Sequence, residues 1–211
     1  MNVPKRLKAK DNMKKLQMAV CAVLVATAGH VQATSLNNTT GIASPARTIT
    51  FNEFVFDNNT AITLQYASLR VTFSPQLYYN PSGANAYNSV PNISGNYLAN
   101  FYPGFVTPFD INFSVIQDSA AFVLGTNPGT TTFSAYLGAT LVDTFSTATS
   151  HSQNNDYYGF TGVSFDRIEI TPGGNGLGII DNLQISTVPE PSAFALAGLG
   201  GAALAIFRRR K

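Results

Sequence analysis

The sequence predicts an all-β body, a single β-sandwich of the jelly-roll kind, set between two short apolar segments that do not belong to it. Three observations carry this. Between residues 48 and 186, about ten runs rich in β-branched and aromatic residues recur, separated by Gly, Pro, Asn and Ser. Phe109, Ile111, Phe113 and Val115 alternate with polar neighbours, the period of two of a sheet with one wet face. No stretch of the body carries a convincing helical pattern.

Residues 1–33 read as a secretory signal. Lys5, Arg6, Lys8, Lys10, Lys14 and Lys15 make a basic start, Leu16 to Gly29 is mostly apolar, and Val31-Gln32-Ala33 offers small residues for cleavage between Ala33 and Thr34. The exported body then covers 34–187. A polar Ser/Asn/Thr lead runs to Arg47, and strands are expected at 48–56, 62–66, 69–74, 109–117, 120–125, 131–137, 140–146, 157–163, 165–171 and 178–186. Leu137-Gly138-Ala139-Thr140 and Pro172-Gly173-Gly174-Asn175-Gly176 are expected as hairpin connections. Between Pro75 and Pro108 the rhythm lapses into a long loop rich in Asn, Pro, Gly and Tyr. Tyr78, Tyr79 and Tyr97 there are candidate stacking platforms for sugar rings, with Asn side chains to meet hydroxyls; the alternative is a loop packed on the sandwich edge by its own aromatics.

Charge narrows the partners. Of 13 basic residues only Arg47, Arg70 and Arg167 lie between 34 and 190, against ten of the 11 acids, a net charge of −7. Such a body is a poor nucleic-acid partner, because phosphate binding is driven by basic side chains. The only cysteine, Cys21, falls in the signal segment, so the body has neither disulfide nor thiol chemistry.

Enzyme chemistry has little to work with. His151 is the one histidine of the body and sits in a polar loop beside Ser152, so triad catalysis would rest on a single ring. Zinc wants Cys or several His. Gly173-Gly174-Asn175-Gly176 is followed by no helix and is no phosphate cradle. A glycosidase needs only two carboxylates, which the body has.

Two acids stand out by register. Glu53 shares a face with Ile49, Phe51 and Val55, and Asp181 with Ile179, Leu183 and Ile185, so both are expected on the apolar side. In a jelly roll those first and last strands lie side by side, and the two carboxylates would share a calcium ion, a hard cation that takes oxygen ligands. The alternatives are a β-bulge that turns Glu53 out and Phe54 and Phe56 in, or pairing of the acids with Arg70 or Arg167.

The tail, 188–211, has three parts. Val188-Pro189-Glu190-Pro191-Ser192 holds the chain extended, 193–207 is uncharged and apolar, and Arg208, Arg209, Arg210 and Lys211 form a basic stop that stays cytoplasmic. As a transmembrane helix 193–207 would span roughly 22 Å, short of a ~30 Å hydrocarbon core, a temporary hold rather than a permanent anchor.

This tail resembles the PEP-CTERM sorting signal of Gram-negative bacteria, a segment also labelled an ice-binding-protein C-terminal domain. The resemblance implies export by the secretion machinery, transient anchoring in the inner membrane and recognition by an exosortase that cleaves near Pro-Glu-Pro. It also implies a destination at the cell surface or in an exopolysaccharide matrix. The leading expectation is therefore an exported, sorted surface or matrix protein with a non-catalytic body. A lectin-like module that binds exopolysaccharide is the alternative, and a glycoside hydrolase the third.

Overall fold

Residues 109–125 and 157–171, each expected as two strands, form one long strand apiece and organise the molecule. In the computed structural model, residues 34–81, 90–101 and 104–187 are described. They form β1 (Thr34–Asn38), β2 (Arg47–Ile49), β3 (Ala61–Ile62), β4 (Val71–Ser74), β5 (Leu77–Asn80), β6 (Tyr97–Ala99), β7 (Phe109–Gly125), β8 (Gly129–Leu137), β9 (Thr140–Thr149), β10 (Tyr157–Thr171) and β11 (Ile179–Thr187). One turn of 3-10 helix, Ala67–Leu69, is the only helical piece among them.

The body is all-β, as the sequence predicts, but its strands make one antiparallel sheet where a sandwich would have two. The order is β3-β5-β6-β11-β7-β10-β8-β9, with β1 also on β10, β2 on β11 and β4 on β7. The long strands link what would otherwise be separate layers. The first half of β7 pairs with β4 and the second half of β10; its second half pairs with β11 and the first half of β10. Between those halves the β7–β10 register slips twice, next to Phe165, and Gly162 in β10 takes φ +73. The polar Gln117-Asp118-Ser119 is thus a bend inside a strand, because a bulge absorbs extra residues without ending the ladder.

Burial follows this division. In the first half of β7, Phe109, Ile111 and Phe113 are buried and their neighbours less so, as the alternation predicts. From Ala120 to Gly125 every residue is buried. Ala120, Phe122 and Leu124 face the main core, where Phe133 stacks on Phe145 at 4.8 Å and on Tyr158 at 5.1 Å. Ala121 and Val123 face a second cluster with Leu36, Val90 and Tyr157. A strand covered on both sides reads as a continuous apolar run.

Three further expectations need correction. Pro172–Gly176 is no hairpin, since β10 and β11 lie on opposite edges of β7. It packs instead on the start of β8, Gly173 donating its N–H to Thr131 Oγ1 at 3.1 Å, so closely that a Cβ on Gly173 would strike the Thr130 backbone. The stretch 75–108 is not loop throughout, because β5 and β6 pair within it. The polar lead contains β1, laid along β10 with Thr34 opposite Thr161. The Leu137–Thr140 hairpin, by contrast, has the expected two-residue turn, with Gly138 at φ +59.

Candidate functional site

Of the expected site residues, Asp181 is the one the fold treats most unusually. The β11 register slips between Asp181 and Gln184, and Asn182 takes φ +47, a conformation Asn tolerates better than most residues. The bulge divides the face read from the sequence. Ile180, Leu183 and Ile185 join the main core, while Ile179 belongs to a separate cluster with Tyr97 and Leu177. Asp181 is fully buried, and its carboxylate accepts N–H bonds from Ser94 at 2.9 Å and Asn182 at 2.6 Å. Burial pushes its carboxyl up to about 7; the two N–H bonds pull it back, and the charge of Glu53 adds to the rise.

Glu53 does not join it. β2 ends at Ile49, and Phe51 adopts φ +56, so the chain turns before Glu53 and the period of two is lost. Glu53 is exposed and accepts from the Thr50 N–H at 2.8 Å, whereas Phe54 and Phe56 turn against the core. The strands themselves are adjacent as expected, Ile49 lying opposite Leu183. Glu53 and Asp181 are therefore not brought together as a pair: one carboxylate faces solvent, and each oxygen of the other accepts one backbone N–H. Among the described residues no three of His, Cys, Asp or Glu gather where they would hold a metal.

Around Asp181 lies a polar frame that the sequence does not announce. Asp156, also fully buried, takes the Asn92 backbone N–H at 3.0 Å and its side-chain amide at 2.6 Å. Asn182 donates its amide to the Asn92 carbonyl at 2.6 Å. The Asn96 N–H reaches Asn52 at 3.1 Å. Gln184 accepts from the Ile42 N–H at 2.6 Å and donates to the Thr40 carbonyl at 3.1 Å. Together they strap residues 90–96 and 39–42 over the outer face of β7 and β11. Tyr157, under the straps, has its hydroxyl pushed up by burial and then by Asp156 and Asp181. Each of these carboxylates accepts two internal N–H bonds, and those from Asn92 and Ser94 hold residues 90–96 in place. Asp156 and Asn92 carry no spacing signal, being 64 residues apart.

Tyr78 and Tyr79 on β5 and Tyr97 on β6 are all buried, and Tyr79 donates its hydroxyl to the Phe54 carbonyl at 3.3 Å. None of the three rings is displayed as a stacking platform. Ser152 shares a hydrogen bond with Ser150 at 3.3 Å in the turn that holds His151.

A second feature is electrostatic. Arg167 is engaged by Asp110 at 3.3 Å and Glu169 at 3.4 Å and lies over the Tyr136 ring. These are the only ion pairs among the described residues. Arg47 and Arg70 instead line a cleft of about 380 Å³ between β2, the 3-10 turn and the end of β11. Arg47 and Arg70 were legible only as two of the body's three cations; nothing in their spacing joins them.

Thr34 opens β1, while Ala33, the motif 188–192, the apolar run 193–207 and the basic stop 208–211 lie outside the described residues. Among the described residues no helix is long and apolar enough to cross a membrane. Residues 187–211 match the family model of the PEP-CTERM protein-sorting motif. No curated protein and no solved structure matches the chain.

Proposed function

We propose that this is an exported protein, sorted by an exosortase to the cell surface or extracellular matrix, whose β body has a non-catalytic, structural role there. The carrying observation is the PEP-CTERM motif, which begins at Thr187, the last residue of β11, so the sorting tail follows the body without a linker. A motif of this kind implies export and exosortase-mediated surface sorting. The scaffolding role of Asp156 and Asp181 supports the non-catalytic part of the reading, since the body's two fully buried carboxylates hold loops in place.

Intact-mass analysis of surface material, from strains with and without the exosortase, tests the sorting. Mature protein is expected to lack the tail from near Glu190 onward only where the exosortase is present. Residues 208–211 still attached in both strains would leave a simple membrane-anchored protein.

A second reading, a lectin-like body that binds exopolysaccharide, finds support in the cleft that Arg47 and Arg70 share. The buried tyrosines lend it none.

A further inference from the structure

We propose that the Arg47–Arg70 cleft binds a carboxylated sugar, a uronic-acid unit of an acidic polysaccharide; this rests on the lectin-like reading and gives it a substrate class. The charge distribution is the first argument. Across residues 34–190, whose net charge is −7, two of the three cations line one cleft, and among the described residues neither forms an ion pair. An anion entering a cleft lined by two arginines meets favourable charge.

Backbone conformation is the second argument. Arg70 follows the 3-10 turn at φ +69, where Gly or Asn sits more easily. Strain of this kind persists where the surrounding structure imposes it and gathers at functional sites. Here the imposing contacts are the Arg70 N–H to the Ala67 carbonyl at 2.9 Å and the Ser114 N–H to the Arg70 carbonyl at 3.1 Å. They fix the residue at the rim of the cleft. Arg47 is drawn to the same place by a bond from Nη1 to the Leu69 carbonyl at 3.4 Å.

The remaining lining identifies the ligand chemistry. Guanidinium groups meet carboxylates in paired, charge-assisted hydrogen bonds. Ser68 and Thr187 supply hydroxyls that both donate and accept, and Leu69 and Ile185 supply apolar wall. A carboxylate, a set of hydroxyls and a weakly polar ring face occur together in a sugar acid. The volume falls in the range of small-molecule sites, roughly 300–1,000 Å³.

Titration calorimetry on the exported protein tests this with glucuronate, glucose, polygalacturonate and a neutral glucan. Glucuronate and polygalacturonate should bind, weakening as salt is raised, while glucose and the glucan should not. Arg47→Gln and Arg70→Asn should each weaken binding about tenfold or more. Asn keeps the left-handed backbone at 70, so unchanged melting of that variant separates lost binding from lost folding. Binding of glucan with no preference for the acidic sugars would overturn the proposal and leave the lectin-like reading standing. No binding by any probe would overturn both.

Discussion

The two faces of β7 between Ala120 and Gly125 are equally buried and held by opposite means. On one face Phe122 meets Phe133 at 6.1 Å within an aromatic-rich core assembled from nine strands. On the other, Ala121 and Val123 are covered by a small cluster beneath residues 90–96, which are strapped down by Asp156, Asp181 and Asn182. The first face is covered by a large apolar core, the second by a small apolar cluster whose cover is held in place by hydrogen bonds. Damage to the first face should unfold the body, and damage to the second should open one loop.

The largest break follows from Phe122→Ala. Removing a fully buried ring loses its transfer free energy and leaves a cavity beside Phe133, a loss of about 3–5 kcal/mol. Thermal melting followed by circular dichroism should show one cooperative transition at much lower temperature. Asp156→Ala comes next. It removes the acceptor of the Asn92 backbone N–H and one of the two acceptors of its amide, a loss of about 2–3 kcal/mol. Its signature should be local: hydrogen exchange at Asn92 and Ser94 should accelerate more than exchange at Phe133 on β8. Equal acceleration throughout would mean that the straps and the aromatic core form one cooperative unit.

How much of this was legible depended on which force sets each element. Alternation exposed the first half of β7, because one wet face leaves a period of two in the residues 109–115. Gln117-Asp118-Ser119 reads as a break, yet a bulge carries it inside the strand, and the difference lies in pairing with residues some 50 positions away. β1 was hidden because an edge strand that buries little beyond Leu36 needs few apolar residues. Glu53 was misplaced for a similar reason. Its side depends on Phe51 taking a positive φ, which tertiary packing of Phe51 against Tyr66 selects and no residue pattern announces. The polar straps were the least legible, since each joins distant residues through a single backbone donor.

Asp181→Asn should have a smaller effect, and one that depends on pH. The carboxyl is raised from 3.8 to about 7, so the folded state holds its proton more tightly than the unfolded chain. The stability this group contributes is fully present below 3.8 and is lost as pH rises through about 7. Asparagine carries no such proton. The variant should be slightly less stable than the parent near pH 4, having one acceptor oxygen for two N–H donors. It should then gain on the parent progressively between pH 4 and 8, as the parent alone loses the stability tied to its proton. Urea midpoints measured across that range decide it. A parent-to-variant difference that does not change with pH would mean that Asp181 is ionised throughout.

The smallest effect belongs to Glu53→Gln, and it sharpens the contrast between an exposed acid and a buried one. Glu53 is solvated, and its Thr50 bonds are local, so losing the charge should change stability by no more than about 0.5 kcal/mol. Its influence on Asp181 is less local. The Glu53 charge also raises the Asp181 carboxyl, less than burial does. Replacing it with the neutral amide should move the Asp181 titration to lower pH by a small amount, visible by carboxyl carbon NMR, while the melting temperature hardly changes. Calcium provides the complementary check. With Glu53 outside and both Asp181 oxygens engaged, added calcium and added chelator should give the same melting temperature. If calcium instead raised it, and Asp181→Asn and Glu53→Gln each abolished the rise, the two acids would be sharing an ion across the turn that now separates them.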